Sequence, residues 1–336
     1  MKNILIIKFG ALGDVVRTSY FLKPLYRKYG EPFIYWLTSE PSLPLLRFNP
    51  YVFHLTSNVN DLLETEFDWI ISLDDELEIV SIVNQLKYKK ITGAHPKDNK
   101  SFYTEDSRLW FDMGIISRYG KKKADELKKE NRLSHTEIFS KILKINNVKP
   151  VFYNAHLIEN RYGKNFENNY FHVGINNSAG KRWPSKKINY KELVLLINKI
   201  LSLKIDSKNV KIHLLGSKNE KDEKYKIKSL FNDDKKVICE DTDESLLKFA
   251  AVIKACDYII TSDSLALHLA IAQQIPNLSY YAPTSAAEID TFGTGVKVVS
   301  TSPDYCSYKP DTDNRTITSE RILKSFKEHL LVLKLI

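Results

Sequence analysis

Cysteine is scarce in this chain. Its three residues, Cys239, Cys256 and Cys306, stand far apart and form no C-x-x-C pair. That argues against a disulfide framework and a cysteine-built zinc site, and it fits a reducing cytoplasm. Long apolar runs are missing as well: no stretch approaches the ~18 residues that a membrane helix needs. The opening MKNILIIKFG has too short an apolar segment, and no small-residue cleavage site, to be a signal peptide. Nucleic-acid signatures are equally wanting: there is no zinc-finger spacing, aromatic RNA-binding motif or arginine-rich arm. Neither short-period repeats nor low-complexity tracts occur.

What the chain does have is enough apolar residues, 43%, to build a substantial core. Its 336 residues suit one large domain or two of ordinary size. The net charge of +9 comes largely from lysine, as in KKKADELKKENR at 121–132. Such lysines keep a surface soluble. They also attract phosphate-bearing partners or an anionic membrane face.

Short β-rich runs alternate with helical patterns. Strands are expected at 4–8, 33–37 and 69–73, with helices at 14–29, 76–87 and 134–146. The polar, aperiodic stretch 154–169 reads as a linker. The alternation then restarts, with strands at 171–176, 210–216, 258–262 and 277–281 and helices at 189–203, 219–231, 245–255 and 264–273. A last helix is expected at 319–334. This order predicts an α/β protein with parallel sheets covered on both faces, in two Rossmann-like halves. Ligands of such sheets bind beyond the carboxyl ends of the strands, which directs attention to the loops there.

Three of those loops carry chemistry. KFGALGDVVRTSYF (8–21) has glycines at 10 and 13, a G-x-x-G rather than the G-x-G-x-x-G of dinucleotide sites. The glycine pair permits close approach to the backbone. Asp14 behind it either caps a helix or acts as a general base. NNSAGKRWPSKK (176–187) brings Lys181 and Arg182 to a strand end. Trp183 there offers a face to a sugar or covers the core, and Pro184 keeps the loop from becoming helical. TSDSLALHLA (261–270) sets Asp263 and Ser264 at a helix start, with His268 one turn on, on the same face as Ser264. Exposed N–H groups, a hydroxyl and an imidazole suit a diphosphate; a capped helix with a half-buried histidine is the plainer alternative.

Taken in order, ILIIKFGALGDVV, SAGKRWPSKK, SDSLALHLAIA and YYAPTS resemble the ADP-heptose:lipopolysaccharide heptosyltransferase family over nearly the whole chain. The L-G-D turn, the K-x-W-P loop and the D-[ST]-x-x-x-H helix start are the most specific parts. The resemblance implies a GT-B fold, two Rossmann-like domains with parallel sheets facing across a cleft. Residues 1–158 would form the acceptor domain, 170–318 the nucleotide-sugar donor domain and 319–336 a C-terminal helix. It implies an inverting, metal-independent glycosyltransferase with no cofactor. A heptose or related sugar would move from a nucleotide diphosphate, ADP-heptose by resemblance, to a hydroxyl of a cell-surface glycan such as lipopolysaccharide core. Asp14 would be the catalytic base, and Lys181 would bind the departing diphosphate with the helix start at Asp263, Ser264 and His268. Ser178 and Thr284 would border the same phosphates, Glu220 the nucleoside, and Gly13 and Arg17 the acceptor. Leu265 stands where the family usually has Gly, and Ala266 where Pro is common. The implied location is cytoplasmic, peripheral at the inner face of the membrane, with an anionic glycolipid acceptor and no nucleic acid.

Rival functions fare worse. A nicotinamide dehydrogenase lacks its glycine turn and the acid that follows it. A metal-dependent transferase would rest on the D-T-D triplets at 241–243 and 311–313, a pattern that arises easily by chance in an aspartate-rich chain. A GT-B-like epimerase or a non-catalytic sugar-nucleotide binder shares the fold, but a pure binder has no need of Asp14.

Overall fold

The computed structural model describes residues 1–153, 166–178, 180, 183–231, 235–242 and 245–336. It divides into two compact units, Met1–Asn154 with Ala287–Asp290, and Ala155–Ala286 with Thr291–Ile336.

The first unit contains strands β1 (Asn3–Ile7), β2 (Phe33–Leu37), β3 (His54–Thr56), β4 (Glu66–Phe67), β5 (Trp69–Ser72), β6 (Lys87–Tyr88), β7 (Ile91–Lys97) and β8 (Lys100–Tyr103). Its main sheet runs β3-β2-β1-β5-β7-β8. All neighbours are parallel except β8, which returns antiparallel to β7. After Asn3, β1 is apolar because both faces are covered. Ile4 and Ile6 enter one core cluster with Val15, Leu22 and Ile138, whereas Leu5 and Ile7 enter another with Phe67, Ile70 and Val83. That alternation is the two-residue period of a strand.

The helix expected over 14–29 is segmented: Leu12–Thr18, a 3-10 turn Ser19–Phe21, then Leu22–Lys28. It gives out before Gly30, whose φ of +76° suits a residue without Cβ. The helix expected at 76–87 shortens to Leu77–Val80 and a 3-10 turn, Ser81–Gln85. The one at 134–146 is His135–Ile142, opened by a capping box between Ser134 and Glu137.

The second unit contains β9 (Tyr170–Asn176), β10 (Lys204–Ile205), β11 (Lys208–Leu215), β12 (Val237–Cys239), β13 (Tyr258–Ser262), β14 (Asn277–Tyr281) and β15 (Gly295–Val299). The sheet runs β10-β11-β9-β13-β14-β15, with β12 also beside β11. Apart from the short antiparallel β10 the pairings are parallel. Counting from the first parallel strand, the order is third, second, first, fourth, fifth, sixth, as in Rossmann sheets. The first unit begins the same way. In each, the order reverses beside the first strand: between β1 and β5, and between β9 and β13. The last helix, Ser319–Val332, belongs to the second unit, where Ile322, Phe326 and Leu330 are buried in its core.

Candidate active site

At the reversal in the first unit, the loop after β1 is tied to the loop after β5. Asp74 takes Lys8 Nζ at 2.5 Å and the Phe9 N–H at 2.5 Å, and its Oδ1 also accepts from the Gly10 N–H at 3.2 Å. Burial would lower the Lys8 pKa, but the carboxylates of Asp74 and Asp14 outweigh it and hold it above the ordinary lysine value. A Cβ on Gly10 would lie 2.6 Å from Lys8 Nζ and 3.3 Å from Asp74 Oδ1. The space at Gly10 is therefore filled by this ion pair, not left open to an approaching ligand. Gly13 is buried within the helix that follows.

Asp14 does not cap that helix. Ala11 occupies the N-cap position, and Asp14 lies within the first turn, its N–H bonded to Ala11 O at 2.7 Å. Its side chain is about one-third exposed, with Arg17 Nη2 3.0 Å from Oδ1. Arg17 is mostly buried, 4.0 Å from Glu288 Oε2 and 5.6 Å from the Trp110 ring centroid. Glu288 is also approached by Lys128 at 3.9 Å, and its carbonyl accepts from the His135 N–H at 2.8 Å.

At the reversal in the second unit, Asn176 ends β9 and acts as a hub. Its Nδ2 donates to Thr261 Oγ1 and Ser264 Oγ, both at 3.1 Å, and to Ser178 O at 3.3 Å. Ser262 Oγ donates to the same Ser178 carbonyl at 3.3 Å. Ser264 holds the N-cap position of the helix Leu265–Ala272 without a side-chain cap bond; its hydroxyl is engaged by Asn176 and Thr261 instead. This helix is apolar on every side and buried apart from half-buried Leu265. His268 is buried, its Nε2 3.7 Å from Asp263 Oδ1. The other carboxylate oxygen of Asp263 takes Lys186 Nζ at 2.9 Å, and the same ammonium donates to the Asp263 carbonyl at 2.8 Å. Lys181 and Arg182 lie outside the described residues.

Two further residues expected at the donor site belong to the same unit. Glu220 is buried; its Oε2 accepts from Ser217 N–H at 3.1 Å and Ser217 Oγ at 2.7 Å, and Oε1 lies 3.4 Å from Lys187. Burial pushes its pKa up, but hydrogen bonds from Ser217 and Ser178 and the charge of Lys187 bring it below the usual carboxylate value. Gly216 (φ +140°) makes this turn possible, leaving 3.6 Å between the site of its missing Cβ and Ser178 Cβ. Thr284 is buried with no hydrogen-bond partner for its hydroxyl among the described residues. Trp183 meets Tyr308 edge-on, with ring centroids 6.1 Å apart.

The structure thus gathers Asp14, Gly13 and Arg17 in the first unit. In the second it gathers Ser178 with Asp263, Ser264, Leu265 and His268, and Ser178 also contacts Glu220. Sequence reasoning missed Lys8, Asp74, Glu288, Asn176 and Lys186. Asp74 and Asn176 were within reach, since both stand at strand ends beside the reversals; Glu288 has no local signal. Among the described residues no group of three or more His, Cys, Asp or Glu is arranged to hold a metal, and no helix is long and apolar enough to cross a membrane.

Comparison with known proteins bears on the fold. Residues 164–316 match the family model for glycosyltransferase family 9 (heptosyltransferase). None of the curated proteins matches the chain in sequence. Among solved structures, a family 9 glycosyl transferase from Veillonella parvula superposes with a TM-score of 0.73 at 16% identity, covering 98% of this chain and 97% of that one. The E. coli ADP-heptose lps heptosyltransferase II gives 0.68 at 17% identity, over 99% and 100%. E. coli heptosyltransferase WaaC with ADP gives 0.64 at 13% identity, over 97% of each. The fold is of the GT-B type that these enzymes share. Residues 164–316 thus match glycosyltransferase family 9 (heptosyltransferase), within a chain whose fold is that of these enzymes.

Proposed function

We propose that the protein moves a heptose or closely related sugar from a nucleotide diphosphate to a hydroxyl of a cell-surface glycan, such as lipopolysaccharide core, inverting the anomeric centre without a metal. The observation that carries this reading is the chemistry at the two strand-order reversals. An acid, Asp14, follows β1, and an aspartate–serine–histidine helix start follows β13. The acceptor oxygen attacks the anomeric carbon, the bond from that carbon to the diphosphate oxygen breaks, and the hydroxyl proton passes to Asp14. Lys181, with the N–H groups, Ser264 and His268 of the helix start that Asp263 opens, stabilises the charge left on the diphosphate, as fixed positive groups do without a metal. The Ser178 and Thr284 hydroxyls serve the same phosphates, Leu265 shapes their site, and Glu220 borders the nucleoside. Gly13 and Arg17 lie on the acceptor side. ADP is the favoured nucleotide because WaaC, a structural relative, was solved with ADP and with ADP-2-deoxy-2-fluoro heptose. An anionic acceptor lipid would draw the lysine-rich helix Gly120–Glu130 of the first unit to the membrane surface, a peripheral contact from the cytoplasmic side. The test offers the purified protein a panel of nucleotide sugars with and without EDTA. ADP-heptose should be consumed in both conditions, and selective use of a different nucleotide sugar, or loss of turnover restored by manganese, would overturn the assignment.

A further inference from the structure

Asp263 poses an electrostatic problem for the proposed donor site, on which this inference rests. A carboxylate beside a bound diphosphate repels it, yet Asp263 stands at the head of the helix meant to receive one. Lys186 resolves this. Its ammonium bonds both the Asp263 carboxylate, at 2.9 Å, and the Asp263 carbonyl, at 2.8 Å, and the two side chains are only 13% and 16% exposed. Holding that carbonyl also fixes the peptide plane, so the Ser264 N–H, antiparallel to it across a trans bond, points away from Lys186.

Lys186 is itself rigidly propped. It ends the 3-10 turn Pro184–Lys186. The Ser185 N–H donates to Pro310 O at 3.3 Å, and Asn314 Nδ2 donates to Ser185 O at 3.2 Å and Lys187 O at 2.5 Å. A long flexible side chain on a pinned turn can act as a fixed charge.

We propose that Lys186 is a positioning residue for the donor site: it clamps Asp263 and cancels its charge, so that the helix start admits a nucleoside diphosphate. Lys186 acts through Asp263 and does not itself touch the phosphates. Its contribution is therefore conditional on the carboxylate it neutralises.

The experiment is a double-variant cycle read by nucleotide binding, with ADP as the main probe, GDP and UDP beside it, and adenosine as the uncharged control. Lys186→Met should weaken nucleoside diphosphate binding by about tenfold or more, a cost of ~1.4 kcal/mol or above, while adenosine binding by the folded variant changes little. The melting temperature should drop with Asp263 left unpaired and recover in the double variant. Lys186→Arg should restore affinity. In the Lys186→Met/Asp263→Asn double variant no carboxylate is left to repel the ligand, so affinity should return to within about threefold of Asp263→Asn alone. A double variant as weak as Lys186→Met would mean that Lys186 contacts the phosphates directly, and would overturn the proposal. Unchanged affinity in Lys186→Met would overturn it too. If the unaltered protein binds none of the three diphosphates, the donor-site reading falls and this inference with it.

Discussion

Arg17 Nη2 lies 3.0 Å from Asp14 Oδ1, three residues along one helix, and the same guanidinium reaches toward Glu288 at 4.0 Å. One acid, Asp14, remains about one-third exposed, while the other is buried. The arginine is thus held from behind by Glu288 and stacked near Trp110, and it presents Asp14 in a defined direction. A mostly buried counter-ion thus aims a partly exposed carboxylate.

Because Ala11, not Asp14, holds the N-cap position, Asp14→Asn should leave the helix intact. The change loses a favourable first-turn charge, worth roughly 0.3–1 kcal/mol, and weakens the contact with Arg17. Transfer should nevertheless fall about 10²- to 10⁴-fold, as expected for loss of a general base, with donor affinity retained. Steady-state assays beside nucleotide binding decide it; near-normal transfer would remove Asp14 from the chemistry.

The Lys8–Asp74 pair is structural, and its loss should register as stability. Lys8→Met leaves the nearly buried Asp74 with its two backbone N–H donors but no counter-charge. The expected destabilisation is ~3 kcal/mol, at the lower end for a broken buried pair. Since the folded Lys8 pKa is raised, its contribution is complete below the unfolded value of 10.5 and is lost as pH climbs through the higher folded value. Urea denaturation of both proteins should therefore show a constant gap from neutral pH to about pH 9, closing only in stronger alkali. A gap already closed at neutral pH would contradict the pairing.

Much of this architecture was legible in the chain. The strands at 33–37, 258–262 and 277–281 stand at the expected bounds, because strands covered on both faces are rich in aliphatic and aromatic residues. The antiparallel hairpin β7–β8 and the strand β15 escaped notice because their residues are mostly half-exposed and mixed in character. The site divided in the same way. Asp14, Asp263 and His268 were visible because strand-end loops collect ligand chemistry. Their partners were not: Glu288 reaches Arg17, and Lys186 reaches Asp263, only through the fold, and no local pattern encodes such a meeting.

Glu220 offers a second pH signature, with the opposite sign. Its folded pKa lies below the usual 4.5 because hydrogen bonds from Ser217 and Ser178 and the charge of Lys187 outweigh burial. A depressed carboxylate stabilises above its unfolded value and loses that contribution as pH falls through the folded one. Glu220→Gln should thus lower the melting temperature at neutral pH, and the difference should shrink steadily below about pH 4. A difference that grows in acid would show that the carboxylate is a liability in the fold.

The lysine-rich helix Gly120–Glu130 tests the membrane contact. Lys121, Lys122 and Lys123 are exposed, and exposed Ile115 and Tyr119 precede them. Lys121 pairs with Asp125 and Lys123 with Glu126, but such surface pairs are weak, roughly 0–1 kcal/mol, and leave most of the field intact. Near an anionic leaflet each lysine contributes about 1 kcal/mol, so replacing all three by Gln should reduce binding to anionic vesicles by about a hundredfold. Binding of the unaltered protein should weaken sharply between low and physiological salt, since screening acts over ~8–10 Å. Sedimentation with anionic and with neutral vesicles makes the comparison. Equal binding to both would mean that charge does not bring this protein to a membrane, and a soluble glycan or protein hydroxyl would become the better acceptor.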